Sequence, residues 1–391
     1  MKPAPRVAGD LVGRAGEISR SVLPQWASRI DSENRFPEEN VAALRAAGLL
    51  GYFVPPALGG PGGDVRGYCD IAAALGAECL STALIWGMHT HQVAMLADHR
   101  SAAHEPYLRE IVDAGVLVAS VTSEPGMGGE VLRSQAPIER DGDRLRVRRI
   151  APVVSYGEHA GFFMVKMLQG PGRPPTDVRM VLLRAGEGTQ TVTGVWDALG
   201  CRGTRSVPMQ FDVEVDAHRL LEQPFRQIAL ETMIPMAHAG WVAAWIGAAK
   251  GALARFLADQ REQHAAHLGS DLFLQRLAGL RLRIDQVEAL LERVVRIVDE
   301  HRAGASLDVE DAGYNILINN LKIAGSCHAF AIVDSLVALS GLSRGYLRGD
   351  ASGLERVFRD LRSAALMFAN DRLMQANGRL VLAESFGLRP M

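Results

Sequence analysis

The residues best suited to chemistry are the run Thr122-Ser123-Glu124-Pro125-Gly126-Met127-Gly128-Gly129-Glu130. Two small hydroxyl side chains lead into a turn made from a proline and glycines. Glycine lets a backbone bend tightly and approach a ligand with no Cβ in the way. Hydroxyls beside freed backbone N–H groups suit the edge of a flat polar heterocycle or a phosphate. By itself such a run is more often a plain loop between strands, so its surroundings decide.

Those surroundings are strand-like. Val116 to Val121 is a short valine-rich run that reads as a strand feeding the turn. Downstream, Gly142-Asp143 makes a hairpin turn, Val153-Val154-Ser155 lies in a second strand-like run, and Trp196 to Ser206 is a polar segment containing glycines. Further strands are expected over 162–168, 180–184 and 209–215, separated by clusters such as Gly170 to Pro175, a pattern that suits a small barrel or sandwich.

On either side the periodicity is helical. Val41, Leu44 and Leu49 share helical spacing with Gly48 near the end as a cap, and helices are expected near 65–77, 82–97 and 105–114. After Pro224, helical runs cover 233–258, 277–298, 316–339 and 354–382. The clearest carries Leu277, Leu280, Ile284, Val287, Leu291, Val294 and Val298 at alternating steps of three and four, a seam for packing against other long helices. The chain therefore reads as mainly α with a central β-domain. An N-terminal helical domain is expected over 1–115, a β-barrel over 116–223 and a four-helix bundle over 224–391.

A length of 391 residues exceeds one ordinary core, and 48% hydrophobic with 22% charged residues is a globular composition. A formal net charge of -2 supplies no field to recruit nucleic acid or an anionic membrane. Cys69, Cys79, Cys201 and Cys327 lack metal-type spacing and read as reduced core thiols. No apolar leader follows Met1-Lys2-Pro3, and no long uncharged apolar run stands out, so a cytoplasmic protein is expected.

Taken together, Ser123-Glu124-Pro125-Gly126, Val153-Val154-Ser155 and Gly200-Cys201-Arg202-Gly203-Thr204 resemble the central domain of the acyl-CoA dehydrogenase superfamily. That resemblance implies a flavin between the β-domain and the bundle, FAD by default with FMN as the alternative. Carried over by position, Thr122, Ser123, Gly128, Gly129, Val153, Val154 and Ser155 would line it, with the Ser155 hydroxyl close to the reactive edge. Arg202, Thr204 and Ser206 keep the family pattern and would order the segment that clasps flavin or substrate. Val153 departs from the aromatic residue common in the family, and Gly129 from the usual serine. The pyrophosphate contacts are eroded too: Ala265-Ala266-His267-Leu268-Gly269 lacks the Arg and Phe of the family's motif, leaving Arg261 or Arg344 to supply charge.

The resemblance also implies α,β-dehydrogenation of an acyl thioester on CoA or an acyl carrier protein, in a homodimer or homotetramer. That reaction needs a base, and a carboxylate in a dry site is suited to it because desolvation raises its pKa. The family's Glu falls at Phe368 here, ten residues after the Phe358 of Phe358-Arg359-Asp360, and the alternative position is Ile234. Glu231, Asp371 and His91 are the remaining candidates. Flavin monooxygenases of the same fold need no carboxylate at that position and form the alternative reading, with a non-catalytic family member as a third. The Ser123-Glu124-Pro125-Gly126 signature favours dehydrogenation at this level.

Overall fold

The computed structural model describes residues 8–127, 130–263, 269–342 and 344–382. Gly128, Gly129 and Ala265 to Leu268 therefore lie outside the described residues. The helices α1 (Ala8–Ser21), α2 (Leu23–Ser32), α3 (Glu38–Ala46), α4 (Val65–Glu78), α5 (Leu80–Asp98) and α6 (Glu105–Ala114) come first. Asp64 caps α4 by accepting from the Gly67 amide. Helix α5 is buried over its whole length except at Asp98, which explains why it shows no amphipathic stripe.

The strands are β1 (Val118–Val121), β2 (Ile138–Asp141), β3 (Arg144–Val154), β4 (Phe162–Leu168), β5 (Val178–Arg184), β6 (Thr189–Val192) and β7 (Val207–Asp216). They form two sheets, in the orders β1-β4-β5 and β2-β3-β7-β6, so the β-domain takes the sandwich form of the expected barrel-or-sandwich. Strand β4 is buried at every position, apolar throughout except at Lys166. Strand β7 faces the core with Val207, Met209, Phe211, Val213 and Val215 and turns the alternate residues outward.

Beyond the sheets, α7 (Phe225–Ile228) runs through a π turn (Ala229–Met233) into α8 (Ile234–Gln263), followed by α9 (Asp271–Arg302), α10 (Ala312–Ser340), α11 (Leu354–Arg362) and α12 (Asn370–Val381). The run expected as one helix over 354–382 is thus two, broken at a turn where Phe368 takes a left-handed φ of 48°. Helix α8 packs on both α4 and α10. Its approach to α4 is permitted by Gly247 and Gly251, where an added Cβ would sit 2.2 and 2.3 Å from the Ala73 and Ala77 carbonyl oxygens. Helix α10 is long and apolar enough to cross a membrane by length and composition alone, although Lys322 and Asp334 interrupt it, so it is not the uncharged run that was not expected. Here it packs inside the bundle against α8, α9, α11 and α12. Cys69, Cys79 and Cys201 are core thiols as expected, whereas Cys327 is exposed.

Charges buried beneath Thr122 to Met127 and Glu130 to Ala136 hold these two segments in place. Glu124 meets Arg149 at 2.8 Å, with side-chain exposures of 6% and 0%. The same carboxylate accepts from the Gln135 and Ala136 amides at 2.8 and 2.9 Å and from the Ser134 hydroxyl at 3.1 Å. Arg149 donates to the Ser123 carbonyl at 2.7 Å. Lys166, in the middle of β4, donates to the Arg133 carbonyl at 2.6 Å and the Glu130 carbonyl at 3.3 Å, and burial lowers its pKa to about 8. Burial works to raise the Glu124 pKa, but Arg149 and the amide donors outweigh it and the net shift is downward. The stability this carboxylate gives is therefore present above its unfolded pKa of about 4.3 and lost as pH falls through the lower folded value. Glu124→Gln should cost about 3 kcal/mol or more by leaving Arg149 buried without its counter-charge. Chemical denaturation reads this directly, and a loss below about 1 kcal/mol would show that the pair is not a structural centre.

Candidate functional site

Strand β3 ends in an irregularity. Its register against β7 shifts between Ala151 and Val154, which turns the Val153 side chain outward to 43% exposure. The Ser123 hydroxyl fastens this kink from the loop side, donating to the Val153 carbonyl at 2.8 Å and accepting from its amide at 3.2 Å. Ser123 and Val153 are thus brought together, as the sequence implies, with the Ser123 hydroxyl engaged in holding the strand end. Val154 is fully buried, so only its backbone can reach a ligand. Thr122 and Ser155 are half-buried beside it.

From Ser155 a chain of hydroxyls runs inward. Ser155 Oγ lies 2.9 Å from Ser206 Oγ, Ser206 Oγ lies 2.8 Å from Thr204 Oγ1, and Thr204 Oγ1 lies 2.8 Å from the Cys201 carbonyl. A carbonyl can only accept, so the Thr204 proton points at Cys201. Ser206 must then donate to Thr204, and Ser155 to Ser206. Consequently Ser155 presents lone pairs, not a proton, to whatever lies outside. Tyr156, Cys201 and Arg205 around this corner all hold positive φ, at 44°, 51° and 44°. Such conformations cost of order 1–3 kcal/mol each and persist where the surroundings enforce them. The Cys201 amide is held by Asp360, whose pKa burial raises to about 6, and Tyr156 by hydrogen bonds from its amide to Thr204 and its hydroxyl to Val118. Arg202 serves the same corner, donating to the Asp31 carbonyl of α2 at 2.9 Å and to Asp197 at 3.1 Å. Leu199, nearby on the same segment, is left 62% exposed.

The three candidates for a base are dispersed. Glu231 sits in the π turn, bonded to Gln227 and 3.9 Å from His99, in a separate cavity of about 790 Å³ shared with Asp98 and Arg302. Asp371 is exposed in the first turn of α12. His91 alone is buried near the position of Phe368, edge-on to Trp241 with ring centres 6.2 Å apart. Its Nδ1 has no hydrogen-bond partner, and burial lowers its pKa to about 3.

Phe368 itself packs against His238 and Trp241 at 5.7 and 5.8 Å. Its carbonyl accepts from Lys322 Nζ at 3.0 Å, and the same ammonium reaches Asn370 at 2.7 Å. Burial lowers the Lys322 pKa to about 8. His238, Trp241 and Lys322 were not singled out from sequence. The available signal was His238, Trp241 and Trp245 at steps of three and four on one helical face, but such a stripe is usually core.

Residues 11–115 match the family described as acyl-CoA dehydrogenase, N-terminal domain, and residues 239–372 the acyl-CoA dehydrogenase, C-terminal domain. Cyclohex-1-ene-1-carbonyl-CoA dehydrogenase from Syntrophus aciditrophicus is 22% identical over 376 residues, covering 94% of this chain and 87% of its own. Butyryl-CoA dehydrogenase from Megasphaera elsdenii superimposes with a TM-score of 0.84 at 18% identity, covering 98% of this chain and 100% of that one. The FMN-bound structure of the dibenzothiophene monooxygenase TdsC from Paenibacillus sp. A11-2 gives 0.85 at 18% identity, covering 97% and 98%. At these identities the structural likenesses speak to the fold.

His238 shares the burial of His91 and its pKa is likewise lowered to about 3. Both imidazoles should stay neutral from about pH 5 to 8, against an ordinary value near 6.5. Their contribution to stability is complete above about pH 6.5 and declines as pH falls below it, because only the unfolded chain then takes up the protons. Imidazole carbon-bound proton resonances followed by NMR should show at least three histidines, His89, His91 and His238, that do not titrate in this range. A mid-range inflection that disappears in His91→Gln would contradict the burial assigned to His91.

Proposed function

The chain belongs to the acyl-CoA dehydrogenase superfamily, and we propose that within it the protein is a flavin-dependent monooxygenase that does not desaturate acyl thioesters. Phe368 carries this reading. A phenyl ring wedged against His238 and Trp241 cannot take an α-proton, while Glu231 and Asp371 face elsewhere. The Ser123-Glu124-Pro125-Gly126 signature no longer favours dehydrogenation, since Glu124 is engaged with Arg149 and the loop amides. That motif serves the fold in either reaction class.

The corner around Ser155 fits a flavin. The exposed Val153 and Leu199 side chains offer apolar surface to a flat ring, beside a corner strained by the positive φ of Tyr156, Cys201 and Arg205. Ser155 offers lone pairs to an N–H on the ring edge, by the proton order of the Ser206–Thr204–Cys201 chain. Flavin bound there and reduced by a separate reductase supplies the activation of O2. The chain's own residues would hold the ring and order the hydroxyls, and the buried His91 stays a neutral imidazole. FMN is the form this site favours over FAD. Arg344, a candidate for the second phosphate, is ion-paired to Asp259, and Arg261 is exposed at the end of α8.

Anaerobic addition of butyryl-CoA should leave the flavin absorbance of the purified protein unchanged, whereas Phe368→Glu should acquire some bleaching. Rapid bleaching of the wild-type flavin would overturn the monooxygenase reading in favour of dehydrogenation. Separately, Ser155→Ala should slow O2-dependent turnover roughly tenfold, the scale of one well-placed hydrogen bond, with an unchanged melting temperature. Parallel losses of turnover and stability would make the hydroxyl merely structural.

A further inference from the structure

The chain changes character at Phe368. Before it, α11 is anchored: Leu354, Val357 and Leu361 are buried, Asp360 accepts from the Cys201 amide, and Arg359 pairs with Asp31 at 2.6 Å. After it, among the described residues, no apolar side chain belongs to the hydrophobic core or packs against it, and Phe368 is the last that does. Asn377 is the one buried residue of α12, and Met374 stands 58% exposed. The helix packs on α10, and no other described element shares more than a marginal contact with it.

The seam between α12 and α10 is made of polar groups. Asn377 accepts from Asn319 at 2.8 Å and donates to Asn320 at 2.9 Å. One end of the seam is closed by Asn370, which accepts from Lys322 at 2.7 Å and donates to Ser326 at 3.0 Å. Bonds of this kind are exchanged for bonds to water when the two helices part, so each contributes little net. An apolar seam would resist parting through the area it buries, and this one has little to resist with. Phe368, whose carbonyl Lys322 also holds, keeps its φ of 48° only because its surroundings enforce it, and parting of the seam releases it. Its ring lies on His238 and Trp241, which are 1% and 6% exposed.

We propose that α12 is a lid, hinged at the turn over residues 363–369, whose opening withdraws the Phe368 ring from His238 and Trp241 and bares that face of α8. The fixed side of the hinge is α11, and the latch is the row of asparagines. Few apolar contacts break in such an opening, so it occurs in the folded protein and far more often than global unfolding. The inference does not depend on which reaction the protein carries out.

Hydrogen exchange of the purified full-length protein, followed peptide by peptide, should show residues 370–381 exchanging together and roughly a hundredfold faster than the middle of α10. Asn377→Ala should speed that exchange about tenfold, the scale of the hydrogen bonds it removes, and leave the global denaturation midpoint unchanged. Asn370→Cys sets a second thiol beside Cys327, whose Sγ lies 3.4 Å from Asn370 Nδ2, and its oxidation should slow exchange in α12 until a reductant is added. The link to the ring is read by thiol labelling of His238→Cys, a position sealed in the closed form, which should become about tenfold faster when Asn377→Ala is added. Protection of α12 equal to that of α10, a global midpoint that falls in Asn377→Ala, an oxidised bridge that leaves exchange unchanged, or labelling indifferent to Asn377→Ala would each overturn the proposal.

Discussion

Glu124 and Arg149 meet at 2.8 Å with almost no exposure to water, and the geometry of the Ser155 corner follows from that contact. The carboxylate gathers the Ser134 hydroxyl and the Gln135 and Ala136 amides, while the guanidinium takes the Ser123 carbonyl. With the loop fixed on both sides, the Ser123 hydroxyl can grip Val153 at its amide and its carbonyl. That grip stabilises the kink in β3 and leaves Ser155 facing Ser206. An ion pair of this kind is costly to desolvate and adds little net stability over an apolar pair. Its value here is directional, since an apolar pair could not order a loop's carbonyls and amides.

A second constraint comes from the bundle side. Gly247 and Gly251 bring α8 against α4 closely enough that the N-terminal helices and the bundle share one interior. The side of α8 carrying His238 and Trp241 therefore stands opposite the buried helix α5 and its His91. Between these helices and the Ser155 corner, the Cys201 segment is tied to α11 through Asp360 and to α2 through Arg202. The strained dihedrals at Tyr156, Cys201 and Arg205 are held by these ties, and they lie where a ligand has to be met.

Much of this was legible in the sequence. The strand before Ser123, the helical seam of α9 and the approach of Ser123 to Val153 all follow from spacing and motif. Other features could not be read there because they depend on three-dimensional register. Glu231 lies in a turn of π geometry, which departs from the α spacing used to position it, and it faces His99. Asp371 starts a new helix only because the chain breaks at Phe368, a left-handed conformation that no phenylalanine advertises. His238 and Trp241 look like core residues in sequence. Only their unmet ring nitrogens distinguish them, and those are visible in coordinates alone.

The central claim is that this fold, with a phenyl ring in place of the proton-abstracting carboxylate, has moved from removing hydrogen to adding oxygen. It is tested most directly by isotope. Turnover of a panel of flat aromatic compounds with reduced FMN under isotopically heavy O2, followed by mass spectrometry of the products, should show one heavy oxygen atom inserted per product molecule. Product carrying no heavy oxygen, or thioester desaturated by the same protein, would contradict the account.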